Sequence, residues 1–367
     1  MLNYLKSSIS ISSYDGCNIG CKYCILSALG NRNKIRKVSD EEQLVSELLN
    51  FRLYTTEVPI SINNQTDPLL NEEVFCSTIK ILNLLEQHNV PNPILIITKG
   101  YMKEHYVEKI KKVKLNLVVL YTFSGLSEKM ENRNEYLQIE TIKTLSELDN
   151  IKLIHYYRPV IEGMNSDEQT IRKIASIVTK YCMASIVSGI RINTYLLEQF
   201  KELEIKLPEK YDPDHKVLLP DTYNKILEIF KYIDNKYPVF KKTSCGVSYV
   251  LNRPDYNGHS ARIYYCNPSC VSYPICMGTN KIGFCNSNCP NYELCKKESE
   301  KKVSEETVKQ LLEKVGKKDR KFSIEEHYIK VEGEFWQEEI SFMRHTTKKN
   351  FKADSLLKRE DEYLISQ

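Results

Sequence analysis

Three cysteines near the start of the chain, Cys17, Cys21 and Cys24, stand in the segment YDGCNIGCKYCIL with three and then two residues between them. Thiolates at that spacing on one short loop can hold three irons of a [4Fe-4S] cluster. With no fourth cysteine nearby, the last iron stays open to an external ligand. Gly16 and Gly20 allow the backbone to fold tightly around such a group, because glycine takes positive φ without steric cost. A zinc loop is the competing reading, but structural zinc closes its tetrahedron with a fourth Cys or His, and none lies close enough in sequence to join this loop.

The elements that must position this loop are legible upstream and downstream of it. From Ser8 to Asn193 short apolar, β-branched runs alternate with longer amphipathic segments, the pattern of βα units and a parallel sheet. The strands are expected at Ser8–Ser12, Val58–Asn63, Ile94–Thr98, Leu115–Phe123, Lys152–Val160 and Ser185–Ile192. Helices are expected at Asp40–Phe51, with Ser39 and Glu42 forming a capping box, and at Glu72–Gln87, Lys103–Lys112, Glu135–Glu147 and Asp167–Tyr181. In βα barrels the functional residues gather at the C-terminal ends of the strands. Those ends read NNQTDPLL (63–70), TKG (98–100), YTFSG (121–125), HYYRPVIEGMN (155–165) and ASIVSGIRIN (184–193), in which Gly189 is a candidate for close approach to a cofactor.

The motif CNIGCKYC, with the aromatic Tyr23 just before the third cysteine, resembles the signature of the radical S-adenosylmethionine (SAM) superfamily. The resemblance implies an α/β fold, a partial (βα)6 TIM-like barrel with the cluster loop after the first strand. It also implies that SAM chelates the open iron and that one electron cleaves it to methionine and a 5′-deoxyadenosyl radical, which abstracts hydrogen from substrate. Within the superfamily, Thr66–Pro68, Lys99 and the RPVIEGMN segment resemble the spore photoproduct lyase branch and its DNA-photolyase-like relatives. Carried over, Thr66, Lys99 and Ser124 contact SAM and Tyr23 flanks the adenine. Lys99 as a cation for the SAM carboxylate makes independent sense as a charge-assisted bond. Arg158, entering a mostly apolar strand, needs an anionic partner, either a ligand or Glu162. One departure is Asn64: that branch places a hydrogen-donating cysteine there, and an amide cannot do thiyl chemistry.

After Asn193 the βα rhythm stops. A charged, proline-containing linker (206–220) leads to a helical pattern at Tyr223–Tyr237, and then the cysteines resume. Cys266, Cys270 and Cys276 have three and five residues between them, Cys285, Cys289 and Cys295 repeat that spacing, and Cys245 stands upstream. Ligand-bearing loops of this kind fold around metal. Two readings compete, structural zinc and a second [4Fe-4S] cluster, the latter loosely resembling the SPASM and twitch extensions of peptide-modifying radical SAM enzymes. The tail carries a helical pattern at Glu305–Val315 and strand-like runs at Phe322–Val331 and Glu339–His345.

The 367 residues are 41% hydrophobic, enough for a full core, and 52 basic against 48 acidic residues leave a net charge of only +4, so any nucleic-acid surface must be a local patch. No run of about eighteen apolar residues occurs, and twelve cysteines at regular spacings suit metal ligation in a reducing cytoplasm better than disulfides. The expected organisation is a barrel at 1–193, a linker and helical segment at 194–244, a cysteine-rich segment at 245–296 and a small α+β tail at 297–367. The expected function is an oxygen-sensitive radical SAM enzyme acting on a nucleic acid or nucleobase, supplied with electrons by a donor such as flavodoxin or ferredoxin. The alternatives are a peptide- or protein-modifying maturase with an auxiliary Fe-S cluster, and a non-enzymatic zinc or Fe-S protein that binds nucleic acid.

Overall fold

The computed structural model describes residues 1–24, 26, 34–192, 197–207, 216–259, 288–326 and 328–357. Cys266, Cys270, Cys276 and Cys285 lie outside the described residues. The chain begins with β1 (Leu2–Tyr4), β2 (Ile9–Ile11) and β3 (Tyr14–Asp15), and β3 pairs with β4 (Arg36–Lys37) beyond the cysteine loop. There follow α1 (Glu41–Leu49), β5 (Ile60–Ile62), α2 (Glu72–Gln87), β6 (Ile94–Thr98), α3 (Glu104–Ile110), β7 (Leu117–Thr122) and the single-turn α4 (Glu128–Glu131). The barrel continues through α5 (Glu135–Ser146), β8 (Ile151–Val160), α6 (Glu168–Tyr181) and β9 (Ala184–Arg191).

Strands β2, β5, β6, β7, β8 and β9 are parallel neighbours in that order, so the six expected βα units form one open, curved sheet. Each strand is covered on both faces, which is why these runs are continuously apolar instead of alternating; every residue of β7 is buried. On α6 the buried stripe is Ile171, Ile174, Ala175 and Val178, at helical spacing. Each large aliphatic side chain there stabilises the fold by about 2 kcal/mol.

The helix starts obey capping chemistry. Asn71, Asn134 and Asp167 each accept a backbone N–H of the first turn. For α1 the expected Ser39 capping box is corrected: Asp40 is the cap, its carboxylate accepting from the amides of Glu42 and Gln43. A carboxylate one residue closer to the helix outcompetes the serine hydroxyl and also complements the helix dipole.

The sheet does not stop at β9. After α7 (Leu197–Glu202), β10 (Lys216–Val217) runs antiparallel along the end of β9, and after α8 (Pro220–Ile233), β11 (Val239–Phe240) lies parallel to its beginning. Helix α9 (Thr243–Val250) then packs on β8 and β9. In the C-terminal part, β12 (Phe322–Ile324), β13 (Ile329–Trp336) and β14 (Phe351–Leu357) form a separate sheet. The expected strand at Glu339–His345 is instead part of a helix, Gln337–Thr347. The alternation of Ile340, Phe342 and Arg344 imitates a strand, but Glu339 reaches back to accept the Trp336 amide at 2.9 Å and so starts a helix. This helix is bound to the barrel by His345, fully buried, whose ring nitrogens meet the Tyr4 hydroxyl at 2.9 Å, the Lys6 carbonyl at 3.0 Å and the Asn257 amide oxygen at 2.9 Å.

A second buried histidine ties the barrel's own strands together. His155 faces the Ser185 hydroxyl at 2.8 Å and the Phe123 carbonyl at 2.9 Å. The carbonyl only accepts, so Nε2 carries the proton and Nδ1 accepts from Ser185. Burial pushes the His155 pKa down from 6.5 to about 4. A depressed folded-state pKa means the unfolded chain binds the proton first. The stability held above pH 6.5 is therefore lost progressively as pH falls toward 4. Denaturant titrations at pH 7 and pH 4 should differ by about 3 kcal/mol from this one group, and His155→Gln should flatten that part of the pH profile.

Candidate active site

A cavity of about 310 Å³ opens at the C-terminal ends of the parallel strands. Cys17, Cys21 and Cys24 line one side of it, together with Tyr23, Thr66 and Lys99, and Arg158 lines it as well. Thus seven of the residues expected from sequence meet in one place. Ser124 does not line it: this serine is fully buried, and its hydroxyl is spent on the Leu126 amide at 3.2 Å.

The cysteine loop is shaped by Gly16 and Gly20, with φ of 85° and 84°, the left-handed region that favours glycine. It is held from outside by the short α4. The Lys22 amide donates to the Met130 carbonyl at 2.9 Å, and the Asn132 side chain donates to the Ile19 carbonyl at 3.2 Å. Burial pushes the Cys17 thiol up to about 12. Cys21 is also raised, by burial first, while the nearby Lys99 pulls it down. Thiolates in so dry a wall need a cationic group to hold them ionised, as a metal does. Among the described residues the three-ligand sets whose donor atoms all lie within 4.8 Å of one another are Cys245–Asp255–His259 and Asp40–Glu41–Glu42. The loop thiols are not such a set, which fits a multi-iron group that takes each sulfur at a separate corner better than a single ion.

Next to the thiols, Lys99 donates to the Tyr23 hydroxyl at 2.5 Å and pairs with Glu131 at 3.0 Å, and the Tyr23 hydroxyl also bonds Glu131. Burial alone would lower the Lys99 ammonium, but the Glu131 carboxylate and the Cys21 sulfur hold its pKa well above the usual lysine value. Lys99 is therefore charged, and it is oriented by its partners. Its backbone is oriented too. Asp67 accepts the Lys99 amide at 2.8 Å, the Thr98 hydroxyl at 2.5 Å and the Leu69 amide at 2.9 Å, clamping the loop after β5 to the end of β6. Gly100 permits this closeness, since a Cβ there would lie 2.6 Å from Leu69 Cβ and 2.9 Å from Asp67 Oδ1.

Thr66 is 7% exposed, and its hydroxyl is buried at the cavity with no hydrogen-bond partner among the described residues. A buried hydroxyl left unpaired costs about 1–3 kcal/mol, so this position is built to meet a ligand. Arg158 donates to the Tyr156 hydroxyl at 2.7 Å, while Glu162 accepts from Ser166 at 3.2 Å. Asn64 also lines the cavity, its side-chain oxygen fixed by Ser10 at 2.6 Å. Gly189 lines the cavity, and its lack of a side chain also admits β10, since a Cβ there would lie 1.7 Å from the Val217 carbonyl oxygen.

A cluster of cations lies at and beside the cavity. Lys216 on β10 is pushed well below the ordinary lysine pKa, by burial first and then by Arg158, Lys242, Arg191 and Lys6 around it. Of these, Lys6, Arg158 and Arg191 line the cavity itself. Glu131 and Asn132 at the cysteine loop, and the cations Lys6, Arg191, Lys216 and Lys242 that join Arg158, are the site features that sequence reasoning misses. The cations come from separate stretches of chain, and α4 is a single turn without a motif.

A parallel barrel whose strand ends bring a Cys-x3-Cys-x2-Cys loop beside a charged lysine and an unpaired hydroxyl is the arrangement expected of a radical SAM enzyme, and the relatives and fold neighbours of the chain support that class. The dual-specificity RNA methyltransferase RlmN of Nitratiruptor sp. is 26% identical over 250 residues, covering 62% of this chain and 67% of that protein. RlmN of Wolinella succinogenes is 23% identical over 255 residues, covering 66% and 70%. Among solved structures, spore photoproduct lyase with bound AdoMet and dinucleoside spore photoproduct has a TM-score of 0.52 at 11% identity, covering 66% of this chain and 79% of that one. The shared fold is the barrel. The chain matches no family profile.

Proposed function

We propose that this enzyme holds a [4Fe-4S] cluster on Cys17, Cys21 and Cys24, binds SAM across the cavity and acts on a nucleic acid. When bound, cluster and SAM together supply a 5′-deoxyadenosyl radical that abstracts hydrogen from the substrate. The chain's own residues do the positioning. The unpaired Thr66 hydroxyl offers the SAM head a hydrogen bond, the Lys99 ammonium attracts its carboxylate, and Tyr23, locked by Lys99 and Glu131, forms a wall beside the cysteine loop. Ser124, bonded to its own chain, is left out of this assignment. The electron comes from a donor such as flavodoxin or ferredoxin.

The observation that carries the substrate reading is this cluster of cations at the cavity. Lys6, Arg158 and Arg191 line the cavity, and together with Lys242 they add to burial, the larger cause, in lowering the pKa of Lys216. A phosphate backbone is the polyanion such a cluster of positive charge attracts, and its binding releases counterions. The RNA named for RlmN and the dinucleoside named for the lyase structure agree with this chemistry. The peptide-modifying reading rests on the cysteine-rich segment alone.

The test is fluorescence anisotropy of labelled single-stranded RNA and DNA oligonucleotides over a range of salt. Binding should weaken steeply as salt rises, and Arg158→Ala and Arg191→Ala should each reduce the slope of log K against log[salt] by about 1. Binding that ignores salt, or slopes unchanged in both variants, would move the substrate to the peptide or small-molecule class.

A further inference from the structure

Far from the cysteine loop in sequence, a different set of ligand atoms converges. Cys245 sits in the first turn of α9, and Asp255 and His259 stand four residues apart in the turn after it; their donor atoms all lie within 4.8 Å of one another. Asp255 is 1% and His259 6% exposed at the side chain. One ring nitrogen, Nδ1 of His259, lies 2.8 Å from Asp255 Oδ2, 3.3 Å from the Ser244 hydroxyl and 3.7 Å from Cys245 Sγ. A single N–H cannot serve three groups well, whereas convergence on a point is what a metal ion requires. The other carboxylate oxygen, Asp255 Oδ1, is buried without a hydrogen-bond partner among the described residues.

We infer that Cys245, His259 and Asp255 hold a zinc ion, with the fourth position taken by a thiolate from Cys289 or Cys295. Tetrahedral zinc bound through sulfur at about 2.3 Å and nitrogen at about 2.0 Å sets those two ligand atoms about 3.5 Å apart. The 3.7 Å between Cys245 Sγ and His259 Nδ1 matches this, and the Asp255–His259 pair need open only slightly to admit the ion. The ligands are already oriented by hydrogen bonds of the kind that surround metal sites. The His259 amide donates to Asp255 Oδ2 at 2.8 Å, the Asp255 amide donates to Cys295 Sγ at 3.3 Å, and the Asn291 side chain donates to the same sulfur at 3.7 Å. A mixed S, N and O set this tight suits one ion, whereas a cubane takes each thiolate at a different iron.

The ion would fasten the turn at 253–259, and the segment 289–295 that supplies the fourth ligand, to the first turn of α9. That turn matters to the active site, because Thr243 lines the cavity and its hydroxyl meets Tyr156 at 3.2 Å. Zinc here is a clip behind a wall of the substrate cavity and takes no part in electron transfer.

The experiment measures zinc, iron and acid-labile sulfide in the full-length protein, reconstituted anaerobically with iron, sulfide and zinc. The triple variant Cys17, Cys21 and Cys24→Ala should lose its iron and keep about one zinc per chain. Adding His259→Ala or Cys245→Ala to it should remove that zinc, while His259→Cys, which supplies a thiolate in place of the imidazole, should retain it. Cobalt(II) added to the zinc-free triple variant should give a thiolate-to-cobalt charge-transfer band with the intense visible absorption of tetrahedral coordination, and amide exchange in α9 should slow when the metal binds. Zinc content unaffected by His259→Ala and Cys245→Ala overturns the inference. So does iron with labile sulfide remaining in the triple variant, which would mark a second cluster. If His259→Ala precipitates, a cobalt spectrum of the triple variant without the charge-transfer band overturns it equally.

Discussion

Replacing Cys17, Cys21 and Cys24 together with alanine will remove about four irons per chain and reduce reductive formation of 5′-deoxyadenosine from SAM to background. The fold should survive. The loop is held by Gly16 and Gly20, by the Lys22–Met130 backbone bond and by Asn132 on the Ile19 carbonyl, none of which involves a thiol. Burial raises the Cys17 thiol to about 12 and raises Cys21 as well, so without metal alanine removes little beyond packing at these two sites, about 1 kcal/mol for each. The measurements are iron content and 5′-deoxyadenosine under dithionite, with far-UV circular dichroism and the thermal midpoint as controls for folding. Full iron with full 5′-deoxyadenosine in the triple variant would place the radical chemistry elsewhere in the chain.

The parts of this site that can be read in sequence are those whose chemistry is local. The cysteine loop is one stretch of chain, with the ligands, the two glycines and the aromatic residue all between Gly16 and Cys24. The strand ends are nearly as legible, because a buried parallel strand is a short apolar run with a clear terminus, and the residues just past that terminus lie at the barrel mouth. Thr66, Asp67 and Lys99 are found that way. Glu131 is not. It sits in a single turn of helix and gains its meaning only from Lys99 and Tyr23, 32 and 108 positions away in the chain. The cluster of cations is non-local in the same sense, since it requires β10 to fold back along β9.

The zinc ligands fall between these cases. Cys245 is legible as part of a cysteine pattern, but Asp255 and His259 are not part of it, although their four-residue spacing ahead of the cysteine block is a signal present in the sequence. The helix Gln337–Thr347 shows the opposite failure, in which a local signal misleads. Side chains in alternation suggest a strand, but the bond that the Glu339 carboxylate accepts from the Trp336 amide, with His345 drawn under Tyr4, decides for helix. Lys348, just beyond it, is buried and pairs with Glu57 at 2.6 Å.

Lys99 and Glu131 provide the second large effect, and they separate what holds the site together from what makes it work. The two side chains are only 14% and 2% exposed, and the charge of each is the other's compensation. Glu131→Leu will leave the ammonium buried against Tyr23 and the cysteine loop, and Lys99→Met will leave the carboxylate buried. Each single change should cost about 3–5 kcal/mol, because an unpaired buried charge loses its partner without regaining water. The double variant, Lys99→Met with Glu131→Leu, should recover most of that loss, since an apolar pair of similar size is nearly neutral in place of a buried ion pair. If Lys99 serves only to satisfy Glu131, activity will return with stability in the double variant. If the ammonium also binds SAM, stability will return while SAM affinity, read by equilibrium dialysis of the iron-loaded protein, stays weakened by roughly tenfold or more, the weight of one charge-assisted bond. Urea titrations of the four proteins give the stability cycle, and the same four proteins give the binding cycle. The difference between the two coupling energies isolates the part of Lys99 that acts on the ligand from the part that answers Glu131.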